Sequence, residues 1–99
     1  MYFRLTADAA ELVEPENVTA FSVRSDLGGA DLAAAVERAA LGAVLPDGEH
    51  VMIDVAAIRR LAGTVPAGWE DDLAGMLAYA QKKGWTSEDG SAVRAHVER

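Results

Sequence analysis

Two histidines, His50 and His96, and no cysteine stand in this chain of 99 residues. Imidazole is the side chain that changes charge most readily near neutral pH, so proton transfer or metal ligation would be sought first at these two positions. Glu49, Asp54 and Glu98 are close in sequence, and a carboxylate beside an imidazole orients the ring and raises its basicity. The two histidines are far apart along the chain, however, outside any H-x-x-x-H spacing that would place both on one helix face. They become neighbours only if their segments pair as strands. The sequence therefore assigns them to a strand surface, and names no residue for catalysis, metal binding or cofactor binding.

Other constellations carry less. Ser25 to Asp31 reads SDLGGAD; its glycines invite comparison with phosphate-cradling loops, but Asp26 and Asp31 add negative charge where an anion needs donors. A turn between a strand and a helix is the better reading. Adjacent Asp71 and Asp72 point in different directions on a helix, which argues against a carboxylate pair for acid–base work. There is no G-x-S-x-G elbow, and the absence of cysteine excludes a thiol nucleophile and disulfides. No cofactor is expected. A reducing, cytoplasmic setting fits best, and the opening MYFRLTADAAELVEPEN reads as neither a secretory signal nor a membrane span.

The formal charge of −7 is concentrated in the first half: residues 1–54 carry ten acids and three bases, residues 55–99 six of each. Such a surface repels a phosphate backbone, so nucleic acid is not an expected partner. Of the apolar residues 20 are alanine, so the interior must be thin, with helices lying close on a sheet.

Period-two patterning predicts strands at YFRLT (2–6), VTAFSVR (18–24) and EHVMIDV (49–55). Pro15 and Asn17 mark a connection between the first two. A helix is predicted over about 31–42, with Asp31 as N-cap and Gly42 as the stop. LPDG (45–48) is a turn, and VAAIRRL (55–61) a short helical segment ending near Gly63. The clearest helix, 67–83, has the stripe Trp69, Leu73, Met76, Leu77 and Ala80, with acids in its first turn and lysines in its last, which suits the helix dipole. Gly84 then ends it, and Trp85 is expected to fold back near Ala80 as a structural plug. Asp89-Gly90 points to a turn leading into a last strand over VRAHV.

This order of elements, with IDVAAIRRLAGT followed by LAGMLAYAQKKGW, resembles STAS domains of the anti-sigma-factor antagonist type over most of residues 18–97. The resemblance implies a protein partner. The regulatory Asp-Ser pair of that family is replaced here by Ala62 and Gly63, with Thr64 the nearest hydroxyl, so its phosphorylation switch does not carry over.

The expected fold is α+β over residues 1–99 as one domain: a two-layer sandwich, its mixed sheet of three to four strands covered on one face by helices. Tyr2, Arg4, Ala20, Ser22, His50 and Met52 would lie on the open face. The expected function is a small non-catalytic protein-interaction module, free or self-associating, with no membrane attachment and with Arg59, Arg60, Thr64 and Trp69 as the partner-binding region. A small enzyme built on a histidine–carboxylate pair and an accessory subunit of a larger enzyme are the alternatives. A small-molecule ligand is left open.

Overall fold

A computed structural model describes all 99 residues. Its elements are β1 (Tyr2–Leu5), β2 (Ala10–Val13), β3 (Ser22–Arg24), α1 (Gly29–Arg38), β4 (Gly42–Val44), β5 (His50–Asp54), α2 (Val55–Leu61), α3 (Trp69–Lys82) and β6 (Ala92–Glu98). The strands form one mixed sheet of six in the order β2-β1-β3-β6-β5-β4. At its centre β1, β3 and β6 run parallel, while β2, β5 and β4 add antiparallel.

The α+β class agrees with the sequence, but the sheet has six strands rather than three or four. One addition is β2, which pairs with β1 through a tight connection at Thr6 to Ala9. There the Thr6 N–H bonds the Ala9 carbonyl at 2.9 Å, and the Ala9 N–H bonds Thr6 Oγ1 at 3.1 Å. That turn contains none of the glycine, proline or asparagine that usually announce one. The other is β4, in the stretch expected to finish the first helix.

That helix starts earlier and stops earlier than expected. Gly28 rather than Asp31 occupies the N-cap, with no side-chain cap, and Asp31 lies in the first turn. At the other end Ala40 takes the left-handed conformation (φ 53°). Its N–H bonds the Glu37 carbonyl at 3.0 Å and the Leu41 N–H bonds that of Val36 at 3.1 Å, the paired bonds of a Schellman stop. Arg60 Nη2 donates to the carbonyls of Ala39 and Ala40 at 3.0 and 3.3 Å. Gly42 is therefore free to enter β4, where a Cβ would lie 1.8 Å from the Met52 carbonyl oxygen. Only glycine fits there, for close approach rather than for ending a helix.

The alternation expected of the strands is present in three dimensions. Phe3, Leu5, Val23, Val51, Ile53, Val93, Ala95 and Val97 are all buried, and one cluster of 19 residues joins them to Leu32, Ala35 and Val36 of α1, Ala57 and Ile58 of α2, and Trp69, Leu73 and Ala80 of α3. All three helices thus pack on one face. Each large side chain withdrawn from water contributes about 1.5–3 kcal/mol before chain entropy is set against it. α2 touches both β5 and β2, distant in the sheet order, so the sheet curls around it. No helix is long and apolar enough to cross a membrane.

Candidate ligand cleft

The outward-facing strand residues form rows set by the register: Val13–Tyr2–Ser22–His96–His50, then Glu11–Arg4–Arg24 beside Glu98, and Ala43–Met52–Arg94. Much of this face is satisfied within itself. Arg4 meets Glu11 at 2.6 Å, Arg24 meets Glu98 at 3.5 Å, and the Arg24 guanidinium stacks 3.8 Å from the centre of the Tyr2 ring. Ala20 precedes β3 and is not part of the face. Ion pairs of this exposure contribute at most about 1 kcal/mol each, yet they occupy the middle of the surface that the sequence offered to a partner.

A cleft of about 750 Å3 opens where this face meets α3 and the segment 18–21. Three pieces of backbone build it. β3 begins only at Ser22, so the first half of β6 lacks a neighbour on that side. The chain leaving α3 fills the gap: the Arg94 N–H bonds the Trp85 carbonyl at 2.7 Å, the Ser87 N–H bonds that of Ala92 at 2.9 Å, and Thr86 pairs with Val93. Asp89 holds the intervening turn, its Oδ1 accepting from the Ser91 N–H (2.9 Å), Ser91 Oγ (2.7 Å) and Ser87 Oγ (2.9 Å). These bonds, the Ser91 N–H first, draw its carboxyl down to about 2. Gly90, at φ 74°, completes the turn expected from the Asp-Gly pair.

Trp85 is set by the same connection. Gly84 (φ 79°) ends α3, as expected, and the Trp85 N–H bonds the Ala80 carbonyl at 2.9 Å. The indole itself is no buried plug. It is 37% exposed and meets Tyr79, 56% exposed, in an edge-to-face contact at 5.9 Å, with Arg94 5.9 Å from its ring centre. These are the two exposed large hydrophobic side chains of the protein, and both line the cleft together with Phe21 and Met76. Asp71 and Asp72 stand on the α3 side, Arg94 on the β6 side.

His50 and His96 also line the cleft. They are opposite one another in the β5–β6 register, with ring centres 5.0 Å apart. The carboxylate at His50 is none of those expected from sequence. It is Asp47, in the β4–β5 turn, whose Oδ2 is 2.7 Å from His50 Nδ1 while its Oδ1 accepts the N–H groups of Glu49 (2.8 Å) and His50 (3.1 Å). The Glu49 N–H, and then the imidazole, hold the Asp47 carboxyl below the usual range. With Nδ1 engaged by a carboxylate, Nε2 is the atom that His50 offers to a ligand or proton. A proline-aspartate-glycine turn just ahead of a histidine was the available signal, since aspartate in a turn bonds the backbone that follows it.

The region expected to bind a partner is arranged differently. Trp69 is a core residue, 3% exposed, and its Nε1 donates to the Pro15 carbonyl at 2.7 Å, tying the start of α3 to the β2–β3 connection. Its indole has no face to offer a partner, because the helix stripe that contains it is turned inward. Arg59 pairs with Glu70 at 2.9 Å, Arg60 caps α1, and Thr64 is exposed. No family model, no curated protein and no solved structure matches the chain.

Proposed function

We propose that this protein is a non-catalytic recognition module whose cleft between α3 and β6 receives an apolar, positively charged segment of a protein partner. The observation that carries the reading is the convergence of both exposed large hydrophobic side chains, Tyr79 and Trp85, in one cleft edged by Asp71 and Asp72. Aromatic rings beside carboxylates suit a lysine or arginine with its aliphatic stem, through cation–π and ionic contact together. The net charge of −7 steers such a partner in. The resemblance of IDVAAIRRLAGT and LAGMLAYAQKKGW to STAS domains, a reading of the sequence, points toward a protein partner too. Trp85→Ala should weaken binding of the partner by about 2 kcal/mol, roughly thirtyfold, as truncation of an anchoring tryptophan does, while Arg59→Ala and Arg60→Ala leave it within about twofold at constant fold. Equal losses in all three variants would contradict the assignment.

A second reading, a small enzyme, rests on the 2.7 Å contact from Asp47 to His50, which lines the same cleft. An imidazole oriented in this way can act as a general base. His50→Gln would then abolish turnover of a small substrate, whereas the module reading expects no turnover to lose.

A further inference from the structure

Antiparallel strands bring alternate residue pairs to different separations, and the pairs not exchanging backbone hydrogen bonds have the closer side chains, with Cα atoms about 4.5 Å apart. His50 and His96 are such a pair. The Val97 N–H bonds the Glu49 carbonyl at 2.7 Å, one residue outside the pair on each strand, and this fixes its kind. Both imidazoles project from the outer face, His96 exposed and the His50 side chain 25% exposed, so both are open to an ion from solvent.

The ring separation suits a shared ion. With metal–nitrogen bonds of about 2.0–2.1 Å and a ring centre about 1.1 Å further on, two imidazoles at a tetrahedral angle have centres about 5.1 Å apart. The observed separation is 5.0 Å, with the ring planes at 61° in an edge-to-face contact, so a shared ion takes a turn of one ring but no change in the spacing of the strands. His50 is further prepared by the Asp47 carboxylate on Nδ1 at 2.7 Å. That is the carboxylate–histidine arrangement that stands behind metal-ligating imidazoles, fixing the tautomer so that Nε2 presents its lone pair. His96 has no hydrogen-bond partner on its ring within the protein, so nothing has to be broken for it to turn toward an ion.

We propose that His50 and His96 form a two-imidazole site for a divalent late first-row transition metal, Zn2+ in particular, with Asp47 as the positioning carboxylate. Imidazole nitrogen suits Zn2+, Cu2+ and Ni2+ and not Mg2+ or Ca2+. No group of three or more histidine, cysteine, aspartate or glutamate side chains is placed to hold one ion together, so water completes the coordination and the ion exchanges freely. The site is independent of the recognition reading, because it needs neither Trp85 nor a partner.

Calorimetric titration of the full chain with Zn2+ tests the proposal, with Mg2+ as control. One saturable Zn2+ site per chain is expected and none for Mg2+. His50→Gln and His96→Gln should each weaken Zn2+ binding by at least about tenfold, and Asp47→Asn by about tenfold, the usual effect of losing an outer-shell partner. Far-UV circular dichroism of each variant verifies the fold, and in the wild type the imidazole proton resonances of both histidines should shift together on adding Zn2+. Absence of a saturable site, or Zn2+ affinity unchanged in both glutamine variants, would overturn the proposal; the latter would trace the binding to surface carboxylates.

Discussion

Gly42→Ala separates the observed structure from the one that patterning suggested. Were Gly42 a helix stop in the left-handed conformation, the substitution would cost about 1 kcal/mol. In the sheet it meets a harder obstacle, because the added Cβ would stand 1.8 Å from the Met52 oxygen and 2.9 Å from its carbonyl carbon. Both are backbone atoms of β5, which is held on its other side by five register pairs to β6, so relief must come from β4 moving away. Movement loosens the β4–β5 ladder and the 2.7 Å bond from the Asp54 N–H to the Leu41 carbonyl. An overpacked site costs about 1–3 kcal/mol, and the strained backbone (φ 145°) about 1–3 more, for a total of about 2–5 kcal/mol. Against a whole-domain stability of about 5–15 kcal/mol this lowers the melting temperature by at least about 10 °C. Urea unfolding followed by circular dichroism measures it, and a loss of 1 kcal/mol or less would refute the pairing of β4 as described.

Ala40→Gly should act in the opposite direction, stabilising by about 0.5–1 kcal/mol, because Ala40 already holds the left-handed angle that glycine adopts without strain; the same unfolding assay reads it. Trp69→Phe should destabilise by about 2 kcal/mol through loss of the 2.7 Å bond to Pro15 and part of a buried ring. Protease nicking of the β2–β3 connection should rise with it. Asp89 has its folded-state pKa depressed to about 2 from 3.8, so the stability it provides is complete above the unfolded value and disappears as pH falls from about 4 to 2. Asp89→Asn should therefore lower stability at neutral pH and flatten the acid-unfolding profile in that window, as measured by melting temperature against pH.

What could be read in the sequence was whatever large residues marked. The pairs Phe3/Leu5, Phe21/Val23 and Val51/Ile53 each repeat at an interval of two, and all are buried except Phe21, which is half-buried, so the inner face of the sheet was visible without coordinates. α3 was visible because Trp69 and Leu73 mark its stripe and charges of the right sign mark its ends. Alanine concealed the rest. In LAAAVERAALGA the helical spacing runs on through Ala39 to Ala43 because alanine is compatible with either face and either period, so the stop at Ala40 and the strand after it left no pattern. β2 was hidden by its brevity and by a turn whose one turn-favouring residue, Asp8, stands without glycine, proline or asparagine beside it. The cleft was hidden for another reason. It depends on the bridge between Thr86 and Val93, a pairing outside any regular strand, which carries Trp85 and Arg94 to the same surface. That His50 and His96 share the polar face was legible from strand alternation, but their pairing required the register of β5 and β6, and Asp47 required the fold of the turn.

Site-directed photo-crosslinking in extract of the native cell tests the central claim most directly, with a benzoylphenylalanine at Gly75, on the α3 wall of the cleft where an added Cβ meets nothing within 4 Å, and in parallel at Arg60. A single protein adduct from position 75 alone, suppressed by excess wild type but not by Trp85→Ala, is the expected result. An adduct from position 60 alone, or equal suppression by the Trp85→Ala competitor, would contradict it.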